Sequence, residues 1–202
     1  MKEKNLIFEG WNDKQLFQLA VDHSSAELKK RFRDVGICHA RGVKSIKAIT
    51  PLIELAQRQC MIISDNDKPA KDQQKIYKQE RGFGEWKTYQ DIDKKIEAVT
   101  GEDFIKNDFI TKYVKNVLSG TNMPEFNASM LPDKKGKIDA VSRWLNTNGM
   151  TADQTKDTIT KIKNEIFDNL KGQHIEDSYT YLLQAISLIA TDQFTSSAHP
   201  VT

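Results

Sequence analysis

The sequence predicts an α/β fold, in which a parallel, Rossmann-like sheet is flanked by helices, followed by a mostly helical C-terminal half. Three apolar runs of strand character lie at residues 6–8, 35–39 and 60–63, and apolar residues at helical spacing follow each of them. Alternation of strands and helices in this way is typical of parallel strands joined by crossover helices. Polar residues follow the ends of the strands, which is where open parallel sheets bind their ligands.

Helix-capping and helix-breaking residues predict where the helices of the first half begin and end. Asn12 is a good N-cap for the first helix and Ser24–Ser25 for the second. Pro51 is expected to kink or split the third helix, because proline removes a helical hydrogen bond. Pro69 suits the first turn of the fourth helix, which we expect to end near Gly82.

The second half differs in pattern, and this predicts the domain organisation. Residues 86–89 resemble a short edge strand, and from about residue 92 the chain is mostly helical, with a long loop over 119–136. Helical faces are predicted from three apolar sets, which are Phe109, Tyr113 and Val117; Ile159, Ile162, Ile166 and Leu170; and Tyr181, Leu182, Ala185, Ile186 and Ile189. We therefore expect an α/β domain over 1–100, a helical extension over 101–194 packed on or completing it, and a disordered tail over 195–202.

Composition excludes some classes of protein. The net charge is +2, from 30 basic and 28 acidic residues, so any contact with nucleic acid must come from a local arrangement of basic side chains. No apolar stretch approaches the roughly 20 residues that span a bilayer, so no membrane partner is expected. The start of the chain is charged and runs straight into a strand, and Cys38 and Cys60 lie in strands. We expect a cytoplasmic protein without a signal peptide and with two reduced core thiols.

Acidic residues gather at the predicted strand ends. Glu9 ends the first strand and Asp13 lies in the first turn of the helix that follows, whereas Asp65 and Asp67 follow the third strand at spacing i and i+2. If the first and third strands are neighbours, four carboxylates share one small volume. Two like charges about 4 Å apart repel by about 4 kcal/mol at an effective dielectric of about 20. An all-oxygen set of Asp and Glu is the ligand chemistry of Mg²⁺ or Mn²⁺, so the sequence predicts one of these cations here.

Basic residues and glycines follow the same strand ends. Arg41 and Lys44 come after the second strand and Lys68 comes after the acidic pair, while Gly10 and Gly42 would let a phosphate approach the backbone closely. We therefore predict that the partner is a nucleic acid, with DNA favoured over RNA.

These motifs resemble the TOPRIM superfamily, whose signature is an apolar strand ending in Glu-Gly, a later turn with a glycine, and an apolar strand ending in Asp-x-Asp. The matching segments are Leu6–Gly10 with Asp13, then His39–Gly42, then Met61–Asp67. The resemblance covers roughly residues 5–82 and is closest in kind to the nuclease domain of OLD-family endonucleases.

The resemblance implies a TOPRIM-like fold and Mg²⁺-dependent hydrolysis of nucleic-acid phosphodiester bonds. Glu9 would be a metal ligand or the general acid/base, and Asp65 and Asp67 would be metal ligands. Asp13 would complete the site, as in the nuclease-like branch. Glu102 lies where OLD-like proteins carry an acidic residue that binds a second metal, although an acid at a helix N-terminus is an alternative explanation for it.

Other features of the second half and of the partners stay open. Lys137 or Lys135 would stabilise transition-state charge, which makes Lys137 a candidate phosphate contact, or else be a solvated loop lysine. The chain carries no P-loop motif, so an ATPase would be a separate chain; another protein partner or a homo-oligomer is equally compatible with the sequence.

Two alternative functions remain at this level. One is a non-catalytic TOPRIM module that binds nucleic acid or a protein in a repair, recombination or defence complex. The other is a receiver-like or phosphatase-like site, which Glu9 at the first strand end disfavours. Trp11 and Trp86 could stack on bases, but core packing or partial exposure is the simpler prediction, and no catalytic histidine is expected.

Overall fold

A four-stranded parallel sheet in the order β2-β1-β3-β4 confirms the predicted fold class. The structure is a computed structural model that describes residues 1–192. Its strands are β1 (Lys4–Phe8), β2 (Val35–His39), β3 (Gln59–Ser64) and β4 (Glu85–Thr88). Phe8 pairs with His39 on one side and with Ile63 on the other. The first and third strands are therefore neighbours, which is the arrangement that the predicted cluster of four carboxylates requires.

Nine α-helices lie within residues 1–192. They are α1 (Trp11–His23), α2 (Ala26–Phe32), α3 (Ile46–Leu55), α4 (Lys68–Gln79), α5 (Tyr89–Ile92), α6 (Asn107–Leu118), α7 (Lys137–Thr147), α8 (Ala152–Asn169) and α9 (Asp177–Asp192). None of them is both long enough and apolar enough to cross a bilayer.

Both faces of the sheet are covered, as the alternation of side chains along β1 shows. Ile7 belongs to a buried cluster with Ile53 of α3. Phe8 points the other way, and its ring lies 4.9 Å from that of Phe17 in α1, which in turn meets Phe32 of α2 at 5.1 Å. Parallel sheets need this coverage on both faces, which is why the strands read as continuous apolar runs.

The start of α1 corrects one sequence prediction. Gly10, not Asn12, is the N-cap, because the carboxylate of Asp13 accepts a hydrogen bond from the Gly10 N–H at 3.0 Å and so starts the helix two residues earlier. The cap of α2 is as predicted, since the Ser25 hydroxyl accepts a hydrogen bond from the Leu28 N–H.

The third helix is not split. Pro51 lies inside α3, which runs on to Leu55, and a short 3-10 turn at Val43–Ser45 leads into it. Proline removes one N–H from the helix, and the rest of the helix is stabilised by packing, since Ile46 and Ile53 are fully buried.

The cysteines lie where the sequence predicted. Cys60 is buried and Cys38 is half-buried, and both are free thiols. Burial is the main reason that the pKa of Cys60 rises to about 12, and it also raises the pKa of Cys38. Both residues are therefore protonated core side chains near neutral pH, with no nucleophilic thiolate.

Residues 97–176 form a second compact unit. Two 3-10 turns, Gly101–Phe104 and Gly172–His174, lie at its ends. A single antiparallel bridge joins the residues that follow them, Ile105 and Ile175. The predicted loop over 119–136 contains only a short 3-10 turn at Ala128–Met130.

The last helix clusters with the sheet. The chain divides into two compact units, residues 1–96 with 177–192 and residues 97–176, so α9 lies in the unit that contains the sheet. That residues 101–194 pack on or complete the α/β domain stays a prediction. Helix α9 packs against α1, α2 and α5, and its fully buried side chains include Tyr179, Leu182, Leu183 and Ile186. Tyr181, which was predicted on the buried face, is 64% exposed. The predicted tail over 195–202 lies outside the described residues.

Candidate functional site

Acidic side chains follow the ends of two adjacent strands. Glu9 comes directly after β1 and Asp65 directly after β3, and the last paired residues of these strands are Phe8 and Ile63. Both acids are half-buried, and the Oε2 atom of Glu9 is shielded from solvent. The pairing of β1 with β3 therefore brings the two acidic strand ends to the same edge of the sheet.

The other two predicted acids are helix caps. Asp13 Oδ2 accepts a hydrogen bond from Gly10 N–H at 3.0 Å, and Asp67 Oδ1 accepts one from Ala70 N–H at 2.8 Å. Each cap uses one carboxylate oxygen and places negative charge at the positive end of a helix. Helix capping thus fixes where these two carboxylates lie relative to Glu9 and Asp65.

A tyrosine that the sequence did not single out lies among these acids. Tyr179 of α9 is only 1% exposed, and its pKa is raised well above the usual value of 10.0. Burial is the largest cause, and the charges of Asp13 and Asp65 add to it. Both carboxylates must therefore lie near this one phenol, which keeps its proton at neutral pH. The apolar residues of α9 recur at helical spacing, and a buried face counted from residue 179 instead of residue 181 would have included this tyrosine.

Asn66 adds a second unexpected group. It lies between Asp65 and Asp67, is 5% exposed, and its Oδ1 atom is buried without a hydrogen-bond partner. Leaving a buried polar oxygen unsatisfied costs about 1–3 kcal/mol. An amide oxygen is a ligand type that Mg²⁺ and Ca²⁺ accept.

The donor chemistry at this edge fits a hard cation, because carboxylate and amide oxygens dominate it. Within residues 1–192, no three side chains among His, Cys, Asp and Glu lie close enough together to hold a metal ion. The charges of Asp13 and Asp65 both act on the buried phenol of Tyr179. The wider ligand set stays a prediction.

The predicted phosphate contacts divide into two kinds. Arg41 and Lys44 are exposed on the segment after β2, and Lys68 is exposed at the start of α4. A hydrogen bond to Asp72 at 2.5 Å raises the pKa of the Lys68 ammonium. These three side chains remain available to a solvent-borne anion, although Lys68 would have to leave Asp72 to reach one.

The two glycines take part in the local backbone structure. The Gly10 N–H is used by the α1 cap, and the Gly42 N–H donates to the carbonyl oxygen of Glu9 at 3.0 Å. Gly42 has φ of +87°, which favours glycine, and its bond holds the turn after β2 against the end of β1. The space where a Cβ of residue 42 would lie is open, and close approach of a phosphate to the backbone here stays a prediction.

Glu102 lies in the second unit. It is only 6% exposed, and its carboxylate forms an ion pair with Lys163, with Nζ and Oε1 separated by 2.5 Å. Its predicted role as a ligand of a second metal ion stays a prediction.

Lys137 requires a correction. It is fully buried as the first residue of α7, and its Nζ donates to the carbonyl of Ile105 at 2.6 Å and to Glu176 Oε1 at 3.1 Å. A fully buried ammonium with internal partners does not reach a nucleic-acid phosphate. It is also not a solvated loop lysine, and burial with specific partners makes it part of the second unit's interior.

The two tryptophans named in the sequence have opposite environments. Trp86 is 2% exposed, and its N–H donates to the Ser64 hydroxyl at 2.8 Å, so it is a core residue. Trp11, the first residue of α1, is 55% exposed. Its ring lies 5.4 Å from that of His39, and Lys14 Nζ lies 4.9 Å from its centroid.

Comparison with protein-family models, with curated proteins and with solved structures gives no match. The resemblance to the TOPRIM superfamily therefore rests on the motifs in the sequence.

Proposed function

We propose that this chain is a nucleic-acid phosphodiester hydrolase that depends on Mg²⁺ or Mn²⁺, with Glu9, Asp65 and Asp67 as its central residues. The observation that carries the proposal is that β1 and β3 are adjacent and parallel, each followed at once by an acid. The charges of Asp13 and Asp65, which both act on the buried Tyr179, support it, because a cation is one of the few ways to offset like charges at such an edge.

Each residue has a defined task in this proposal. Asp65 and Asp67 hold the cation, and Glu9 accepts the proton of the attacking water. When bound, the cation polarises a phosphoryl oxygen and offsets the charge of the carboxylates. The exposed side chain of Arg41 binds the phosphate backbone by charge, with no preference for sequence.

The test is cleavage of supercoiled plasmid, linear DNA and structured RNA with Mg²⁺, Mn²⁺ or EDTA. Glu9→Gln and Asp65→Asn should each lower the rate at least about 100-fold, because each removes a charge at the reacting phosphate. Asp22→Asn is the matched control, since Asp22 is an exposed acid on α1. Cleavage in EDTA, or an Asp65→Asn protein that is fully active, contradicts the proposal.

Metal binding has a readout that is independent of activity. A cation that binds only the folded chain at 100 times its dissociation constant stabilises it by about 2.7 kcal/mol, so Mn²⁺ should raise the melting temperature of the wild type. The rise should be lost in Asp65→Asn and kept in Asp22→Asn. An equal rise in all three proteins would place the bound cation elsewhere.

A non-catalytic module that binds nucleic acid or a protein partner is the second candidate. The capping roles of Asp13 and Asp67 favour it, because each carboxylate already has a structural function without a metal. It predicts salt-dependent binding to DNA with no turnover under any metal, and the cleavage assay separates the two candidates directly.

A further inference from the structure

An exposed indole lies beside the acidic strand end. Trp11 follows Glu9 by two residues and begins α1, so it lies at the same edge of the sheet as the predicted site. It is 55% exposed, whereas Trp86 is buried in the core. Tryptophan offers a large apolar surface, and leaving more than half of the residue in water forgoes the stabilisation that burial would give.

The surroundings of this indole are ordered and cationic. His39, the last residue of β2, meets the Trp11 ring at an interplanar angle of 74°, with the centroids 5.4 Å apart. The ammonium of Lys14, one turn along α1, lies 4.9 Å from the ring centroid. Arg41 and Lys44 are exposed on the segment that follows His39. The ring is thus held by contacts on its own unit, with the ammonium of Lys14 over it.

A flat aromatic surface among cations fits a ligand that is itself flat and carries negative charge. Nucleic-acid bases on a phosphate backbone have this combination, and stacking on aromatic side chains is the usual way in which single strands are bound. In a duplex, each base face is covered by its neighbours. Only an unpaired base offers a face to a protein side chain at low cost.

We infer that Trp11 is a stacking platform for an unpaired base of the DNA strand, and hence that the substrate contains single-stranded DNA next to the phosphodiester that is cut. This inference rests on the proposed function and specifies its substrate class. The alternative for an exposed tryptophan is the centre of a protein interface. The ammonium of Lys14 beside the ring, with Arg41 and Lys44 exposed on the segment that follows His39, favours a polyanion over that alternative.

The experiment measures binding apart from cleavage. A fluorescein-labelled 12-nucleotide DNA is titrated with protein in EDTA, as a single strand and as a duplex, and anisotropy gives the two dissociation constants. The proteins are the wild type, Trp11→Ala, Trp11→Phe and the control Tyr181→Ala. Tyr181 is a suitable control because it is an exposed aromatic residue on the same unit, 64% exposed on α9.

Stacking of one base on an aromatic residue corresponds to a loss of roughly 5- to 150-fold in affinity when the ring is removed. Trp11→Ala should therefore weaken single-strand binding by about 10-fold and leave duplex binding within twofold. Trp11→Phe should retain most of the affinity because it keeps a ring, and Tyr181→Ala should bind like the wild type. Circular dichroism and melting temperature confirm that each variant is folded.

The outcomes separate this inference from the proposed function. If Trp11→Ala binds single strands as well as the wild type does, or loses affinity for single strand and duplex equally, the platform is refuted, while Mg²⁺-dependent cleavage by the wild type would leave the proposed function intact. If the wild type neither binds nor cuts DNA or structured RNA, both are refuted, and Trp11 becomes the place to look for a protein partner.

Discussion

Replacing Lys137 by Met tests whether the buried ammonium of Lys137 stabilises the second unit. Lys137 is fully buried, and its ammonium donates to the Ile105 carbonyl at 2.6 Å and to Glu176 at 3.1 Å. Met keeps the length and the apolar volume of the side chain but removes the charge and both hydrogen bonds. The variant therefore isolates the contribution of the ammonium to the stability of the second unit.

The expected loss follows from the two contacts. Leaving the carbonyl of Ile105 buried without this donor costs about 1–3 kcal/mol. The Glu176 side chain is 31% exposed, so loss of the ion pair adds at most about 1 kcal/mol after allowance for solvent. The sum is about 1–4 kcal/mol. With a urea m-value of about 2 kcal/mol/M, the unfolding midpoint should fall by about 0.5–2 M.

The assay is urea unfolding at pH 7, followed by far-UV circular dichroism. Lys135→Met is the matched control, since Lys135 is exposed two residues earlier, and its midpoint should stay within about 0.25 M of the wild type. A shift below about 0.25 M for Lys137→Met would refute the structural role. If stability were unchanged and DNA affinity fell, the phosphate-binding role predicted from the sequence would be restored.

Two further predictions concern a glycine and a histidine. Gly84→Ala should destabilise the first unit more than Gly149→Ala destabilises the second. Both glycines have positive φ, so the backbone strain of an alanine is shared. The added Cβ would lie 2.7 Å from the Cys60 carbonyl oxygen at Gly84 but in open space at Gly149, so equal losses of stability in urea unfolding would contradict the close contact. His174 has its pKa lowered from 6.5, first by burial and then by nearby lysines, so the folded state favours the neutral ring. Because the unfolded chain takes up a proton that the folded chain resists, stability should fall as the pH drops from about 7.5 through 6.5 to 5.5. His174→Gln should weaken this dependence of stability on pH. If the urea-unfolding midpoint of the wild type does not change between pH 7.5 and 5.5, the prediction is refuted.

The α/β class and the strand positions could be predicted from the sequence because they depend on local patterns. Continuous apolar runs indicate strands covered on both faces, and the run at 60–63 lies within β3 (Gln59–Ser64). The acids after two of these runs follow from the same pattern, since a strand that ends in a polar residue presents it at the sheet edge. Glu9 and Asp65 needed no knowledge of packing to become candidates.

Which residues surround the candidate site depends on contacts between residues that are distant in sequence. Tyr179 comes to Asp13 and Asp65 only because α9 packs back against α1, more than 150 residues earlier in the chain. Periodicity placed Tyr181 on the buried face of α9, whereas packing against α1 buries Tyr179 and leaves Tyr181 64% exposed. The environment of Lys137 was likewise hidden, because its partners are Ile105 and Glu176.

By itself, the sequence determined the fold class, the strands and the acids that follow β1 and β3. These features depend on hydrophobic periodicity and on the residues at strand ends, and both can be recognised from residues that are close together in the sequence. Only the tertiary structure decided that β1 and β3 are adjacent, that α9 belongs with the sheet, and that Lys137 is buried while Trp11 is exposed. The physical reason is that burial and electrostatic environment depend on which distant segments pack together, and local propensity carries little information about that choice.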